Sequence, residues 1–129
     1  MQPGDLPRIF AYIGGILKEI GCIPLIVGGV SDHIHILVTL PSEMTISELA
    51  RTVKAKSSKW IKTLSPYYHE FAWQSGYGAF SVSPSILDKT IRYIMDQPIH
   101  HQKESFHDEY KAFLEAYKIP YDEKYIFND

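Results

Sequence analysis

From Leu6 to Ile20 the apolar residues Ile9, Phe10, Ile13, Leu17 and Ile20 recur at the spacing of a helical stripe, which predicts an amphipathic helix. Gly14 and Gly15 weaken its interior by about 1 kcal/mol each relative to Ala, and their presence predicts close packing against a neighbouring strand. Gly21 supplies the stop. Beyond it "CIPLIVGGV" is rich in strand formers and is predicted to turn at Gly28-Gly29. After a Ser31-Asp32 corner, "HIHILVTL" predicts a second strand, so the two segments read as an antiparallel hairpin. Pro41-Ser42 closes it. Thr45 followed by Glu48 has the capping-box spacing and starts a helix through about Leu64, with Ile46, Leu49, Val53, Trp60, Ile61 and Leu64 on its buried side.

"SPYYHEFAWQSGYG" reads as an aromatic-rich loop and "AFSVS" as a short strand. Pro84-Ser85 opens a third helix from Ile86 to Gln97, which Pro98 ends. Residues Phe106 to Tyr117 predict a last helix, and 118–129 a tail able to add an edge strand. Antiparallel strands interleaved with helices predict an α+β fold with helices packed on a sheet. With 129 residues and neither internal repeat nor linker, the chain is expected to form a single domain, 1–129.

Composition sharpens this picture in three ways. With 45% apolar and 22% charged residues, the chain has a core to build. Its apolar runs fall short of the roughly 20 residues that span a membrane, and no signal pattern opens it, so no membrane partner is expected and a cytoplasmic location is. Cys22 stands alone, which excludes an intrachain disulfide and leaves any metal to His, Asp, Glu or Gln. The net charge of −2 hides an asymmetry: Arg51, Lys54, Lys56, Lys59 and Lys62 form a run of +5 without a carboxylate, while 104–129 carries seven carboxylates against three lysines. A local anion-binding face is therefore compatible with an acidic protein. Trp60, Tyr67, Tyr68, Trp73 and Tyr77 lie near that run, so it reads either as a solvated helix face or as a surface that tracks a nucleic-acid backbone and stacks bases.

The candidate chemistry begins at "DHIHILV". Side chains at i and i+2 of a strand share a face, so His33 and His35 project together while Ile34 and Ile36 face the other way. Two neutral imidazoles so placed chelate a divalent cation, although paired surface histidines satisfy the same pattern. On the third helix Tyr93 and Gln97 are one turn apart. A tyrosine hydroxyl titrates near pH 10 and is a poor nucleophile unless a cation draws charge from the phosphorus it attacks. Gln97 offers a neutral oxygen ligand on the same face, yet the pair by itself also reads as ordinary helix surface. His100 and His101 are alternative ligands, phosphate contacts or plain surface.

Four ordered blocks, "GGVSDHIHILVTLP", "KAKSSKWI", "WQSGYGAFSVS" and "IRYIMDQPIHH", together resemble the single-tyrosine HUH transposases of the insertion sequence 200/605 group. The resemblance extends from the first helix to about Tyr117. It implies a ferredoxin-like antiparallel sheet of the HUH endonuclease type, with His33, His35 and Gln97 holding Mg²⁺ or Mn²⁺ and Tyr93 as nucleophile. It further implies a homodimer in which the tyrosine helix is able to act in trans, and single-stranded DNA bearing hairpins as the partner. Arg51, Lys54, Lys56, Lys59, Lys62 and Arg92 are then the expected DNA contacts. Members of the group usually carry a strand and loop before their first helix, whereas this sequence opens at the helix, so the expected domain is N-terminally short and its first strand missing. Two readings follow: a transposase that nicks and rejoins hairpin-bearing DNA through a 5′-phosphotyrosine, or a non-catalytic hairpin-binding relic or repurposed copy.

Overall fold

A computed structural model describes residues 1–74, 76–79 and 81–96. The chain divides into two compact units, 1–74 and 75–129. The described residues hold two antiparallel strands and three α-helices, an α+β fold as predicted. None of the helices is long and apolar enough to cross a membrane.

In the first unit, a 3-10 turn over Pro3–Asp5 leads into α1, Leu6–Glu19, whose buried residues Ile9, Ile13, Ile16 and Leu17 follow the helical period. Gly21 ends it with φ of 90°, a conformation that glycine adopts without Cβ strain. The hairpin follows as β1, Ile23–Val30, and β2, His33–Thr39, paired antiparallel. Their register shifts between Pro24 and Ile26, so Leu25 has no partner across the ladder. A proline has no N–H to give, which suits it to a bulge.

The corner falls at Ser31-Asp32 as predicted, and the turn expected at Gly28-Gly29 does not form. Both glycines belong to β1, opposite His35 and Ile34 respectively. Gly29 has φ of 142°, and a Cβ there would stand 2.4 Å from the His33 carbonyl oxygen and 2.7 Å from the Ile34 Cα. The strands approach so closely at this point that only glycine fits. Gly14 and Gly15 correct the opposite expectation: a Cβ at either would meet nothing within 4 Å, so neither marks close packing.

Helix α2, Ile46–Ile61, opens on the predicted capping box, with Thr45 Oγ1 accepting from the Glu48 N–H at 3.1 Å. Its buried positions are Val53, Ser57 and Ile61, spaced one turn apart. Ile46 overhangs the first turn and stays 43% exposed, so it does not join the core as expected. One core unites Ile9, Ile13, Ile16, Leu17, Cys22, Val53, Ile61 and Tyr68, and Val27, Ile34, Ile36 and Val38 pack on it from the hairpin. The helices α1 and α2 thus cover one face of the sheet, and strand alternation turns His33, His35 and Leu37 to the other.

Tyr68, buried in the loop after α2, ties the N-terminal turn down. Its hydroxyl donates to Asp5 Oδ2 at 2.6 Å and accepts from the Gln2 N–H at 2.8 Å. In the second unit α3 spans Leu87–Met95, with Thr90 and Ile94 buried. Ala79 and residues 81–83 form no strand among the described residues. The predicted helix over Phe106–Tyr117, the tail, His100 and His101 lie outside the described residues.

Three stability outcomes follow. Gly29→Ala lowers the unfolding free energy by at least about 2 kcal/mol, since both φ and the facing backbone oppose it. Gly15→Ala raises it by up to about 1 kcal/mol, a helix-propensity gain with no clash; thermal unfolding of the two variants reads both signs. The third concerns acid. The Tyr68 hydroxyl, with Arg8 adding to it against the effect of burial, holds the Asp5 carboxyl below its ordinary 3.8. A depressed folded-state value gives stability that is full above 3.8 and lost as pH falls through the folded value. Urea unfolding across acid pH should show Tyr68→Phe losing less stability on acidification than the wild type.

Candidate metal and nucleic-acid site

The hairpin brings His33 and His35 together. Their ring centroids are 5.3 Å apart with planes at 85°, an edge-to-face pair on the side of β2 away from α1 and α2. Val30 lies across from His33 and Gly28 across from His35, so the neighbouring strand places no side chain directly opposite His35. Burial, with His33 adding to it, pushes the His35 imidazole down to about 3. The ring is therefore neutral near pH 7 and keeps a lone pair for ligation. At the hairpin corner the Asp32 carboxylate contacts His33 Nδ1 at 2.7 Å.

A pair of imidazoles fits a divalent cation but does not complete its shell. Among the described residues no three His, Cys, Asp or Glu side chains converge. Further donors must be of another kind, such as an amide oxygen, water or a substrate phosphate. Gln97, the expected amide ligand, lies outside the described residues. Tyr93 lies on α3, partly buried, with Arg92 exposed beside it. These two belong to the second unit and the histidines to the first.

The basic residues of α2 separate into two groups. At about 100° per residue, Arg51, Lys59 and Lys62 fall within an arc of about 80°, roughly opposite the buried Val53, Ser57 and Ile61. All three are exposed. Lys54 and Lys56 flank that arc and are engaged: Lys54 Nζ donates to the Gln74 carbonyl at 3.0 Å and Lys56 pairs with Glu19 at 3.7 Å. The aromatic residues near the run are largely structural. Trp60 stacks on Tyr12 of α1 with centroids 4.1 Å apart and planes at 4°. Tyr68 is core, and Trp73 donates its indole N–H to Ser57 Oγ at 2.9 Å. Tyr67 and Tyr77 remain exposed.

Two residues that shape this region escaped the sequence reading. Ser57 is fully buried, donates back to the Val53 carbonyl and anchors Trp73. Its signal was positional, one turn from both Val53 and Ile61. Asp32 had no signal beyond adjacency to a histidine.

Comparison with known proteins gives one family. The family model described as "Transposase IS200 like" matches residues 2–97, a span that contains the histidine pair, the basic helix, Tyr93 and Gln97. No curated protein and no solved structure gives a significant match.

Proposed function

The chain belongs to the IS200-like transposase family, and we propose that it is a metal-dependent, single-tyrosine transposase acting on single-stranded DNA that carries hairpins, with residues 1–129 as one catalytic domain. The observation that carries this reading is the His33–His35 pair, set edge to face on the side of the hairpin away from the two helices, with the His35 imidazole neutral. It lies within a matched span that also holds Tyr93 and Gln97 at helical spacing.

In this reading His33, His35 and Gln97 hold Mg²⁺ or Mn²⁺. The bound cation supplies Lewis-acid polarisation of the scissile phosphate and offsets its charge. Tyr93 does the covalent chemistry. Its phenolic oxygen attacks phosphorus, a Tyr–O–P bond forms, and the P–O3′ bond breaks. The phenolic proton is lost to solvent and the departing 3′ oxygen takes one up, leaving a free 3′ hydroxyl and a 5′-phosphotyrosine. Attack by another strand's 3′ hydroxyl reverses these steps and joins the new ends. The ester keeps the energy of the original linkage, so rejoining needs no nucleotide triphosphate. Arg51, Lys59, Lys62 and Arg92 supply phosphate contacts, with Lys54 and Lys56 joining them where their protein partners release. The protein works as a homodimer, so a site can combine Tyr93 of one copy with the histidines of another.

Two measurements test the proposal. With Mg²⁺ or Mn²⁺ and single-stranded hairpin DNA from the ends of its element, the wild type should form a covalent adduct that denaturing electrophoresis resolves, and Tyr93→Phe should form none. An adduct that persists in Tyr93→Phe removes the tyrosine from its role; hairpin binding with no adduct under either metal favours the non-catalytic reading. The second measurement is the salt dependence of hairpin binding by fluorescence anisotropy. Replacing Arg51, Lys59 and Lys62 with Ala should reduce the magnitude of the log–log slope by about 2, at about 0.7 per single-strand phosphate contact. Lys56→Ala should change it less, because Glu19 already competes for that ammonium.

A further inference from the structure

Asp32 sits at the corner between β1 and β2, its side chain 59% exposed, while that of the adjoining His33 is 8% exposed. The Asp32 Oδ1 to His33 Nδ1 distance of 2.7 Å is that of a strong, charge-assisted hydrogen bond. An ionised carboxylate only accepts, so the contact requires the proton on Nδ1. In a neutral ring this leaves the lone pair on Nε2. The arrangement has a consequence for ligation, because an imidazole whose proton sits on Nε2 cannot ligate through that atom. The carboxylate also stands apart from direct ligation: Asp32, His33 and His35 are not among any three side chains that converge as a metal group.

We infer that Asp32 is a positioning residue for the cation site, which holds the buried His33 in its Nδ1–H tautomer and so presents Nε2 to the metal. The inference rests on the assignment of His33 and His35 as ligands proposed above. Asp32 acts through the histidine: it orients the ring, fixes the tautomer and increases the basicity of the ligating nitrogen, as carboxylates behind metal-bound histidines do. Its place in a two-residue corner suits the task. The strand pairing of Val30 with His33 fixes the backbone immediately after Asp32, so the carboxylate reaches the ring without a long flexible arm.

The test uses the full chain, ¹⁵N-labelled at histidine, with Mn²⁺ as the probe. Without metal, the wild type should show a protonated Nδ1 and an unprotonated Nε2 at His33. Asp32→Ala should shift His33 toward the Nε2–H form and weaken Mn²⁺ binding, read by electron paramagnetic resonance of the free ion, by about 10- to 100-fold. Asp32→Asn, whose amide oxygen still accepts from Nδ1–H, should keep the wild-type tautomer and recover most of the affinity. A structural role confined to the turn would leave both the tautomer and the ¹⁵N signature of His33 unchanged. Asp32→Ala with wild-type tautomer and wild-type Mn²⁺ affinity overturns the inference. Wild-type protein that binds Mn²⁺ no better than His35→Ala overturns the cation assignment itself, an outcome separate from any behaviour of Asp32.

Discussion

The register of the β1–β2 hairpin is the constraint on which the rest depends. Side chains alternate along a strand, so a slip of one residue would carry His33 and His35 into the apolar core and turn Ile34, Ile36 and Val38 outward. Two features oppose that slip. The three aliphatic side chains are packed against the core between α1 and α2. At the other end Gly29 lets β1 approach the His33 carbonyl and Ile34 Cα at distances that no residue with a Cβ tolerates. The histidine-bearing side is thus determined by what the opposite side buries, and the candidate ligands inherit their placement from aliphatic packing.

How much of this was legible in the sequence depended on whether the signal was local. The α1 stripe with its Gly21 stop and the Thr45–Glu48 capping box are decided within a few residues, and each appears where predicted. The errors arose where a neighbour decides. Gly28-Gly29 has the composition of a turn, yet both glycines lie within β1, where Gly29 meets the facing backbone too closely for any Cβ. Gly14 and Gly15 look like a packing groove, but nothing approaches them. Ser57 fills a core position despite its polarity, since its hydroxyl donates to the Val53 carbonyl and still accepts from the Trp73 indole. No periodicity of polar and apolar residues reports that Trp73 will supply the partner.

The candidate site divides along the same line. The shared face of His33 and His35 follows from strand geometry alone and was readable at once. That His35 is neutral, and that Asp32 contacts His33 Nδ1, required the packing around the rings. The basic helix was readable as charge, but not as function: the run counts five cations, whereas Lys54 and Lys56 are drawn onto Gln74 and Glu19 and the outward arc belongs to Arg51, Lys59 and Lys62.

The charge of the proposed ligand set carries a last consequence. Two neutral imidazoles and a carboxamide bring no negative charge to the cation, and the nearby Asp32 carboxylate is turned to His33 Nδ1. A dication held this way keeps most of its charge for whatever else reaches it, which is the condition for strong polarisation of a phosphate. It also makes the protein alone a weak binder compared with sites built from several carboxylates. Cation and DNA phosphate must then favour each other, because any coupling between two ligands acts reciprocally on both affinities. A site of this kind is assembled by its substrate: the hairpin strands preset the two imidazoles, and the phosphate contributes the negative charge that the protein's own ligands withhold.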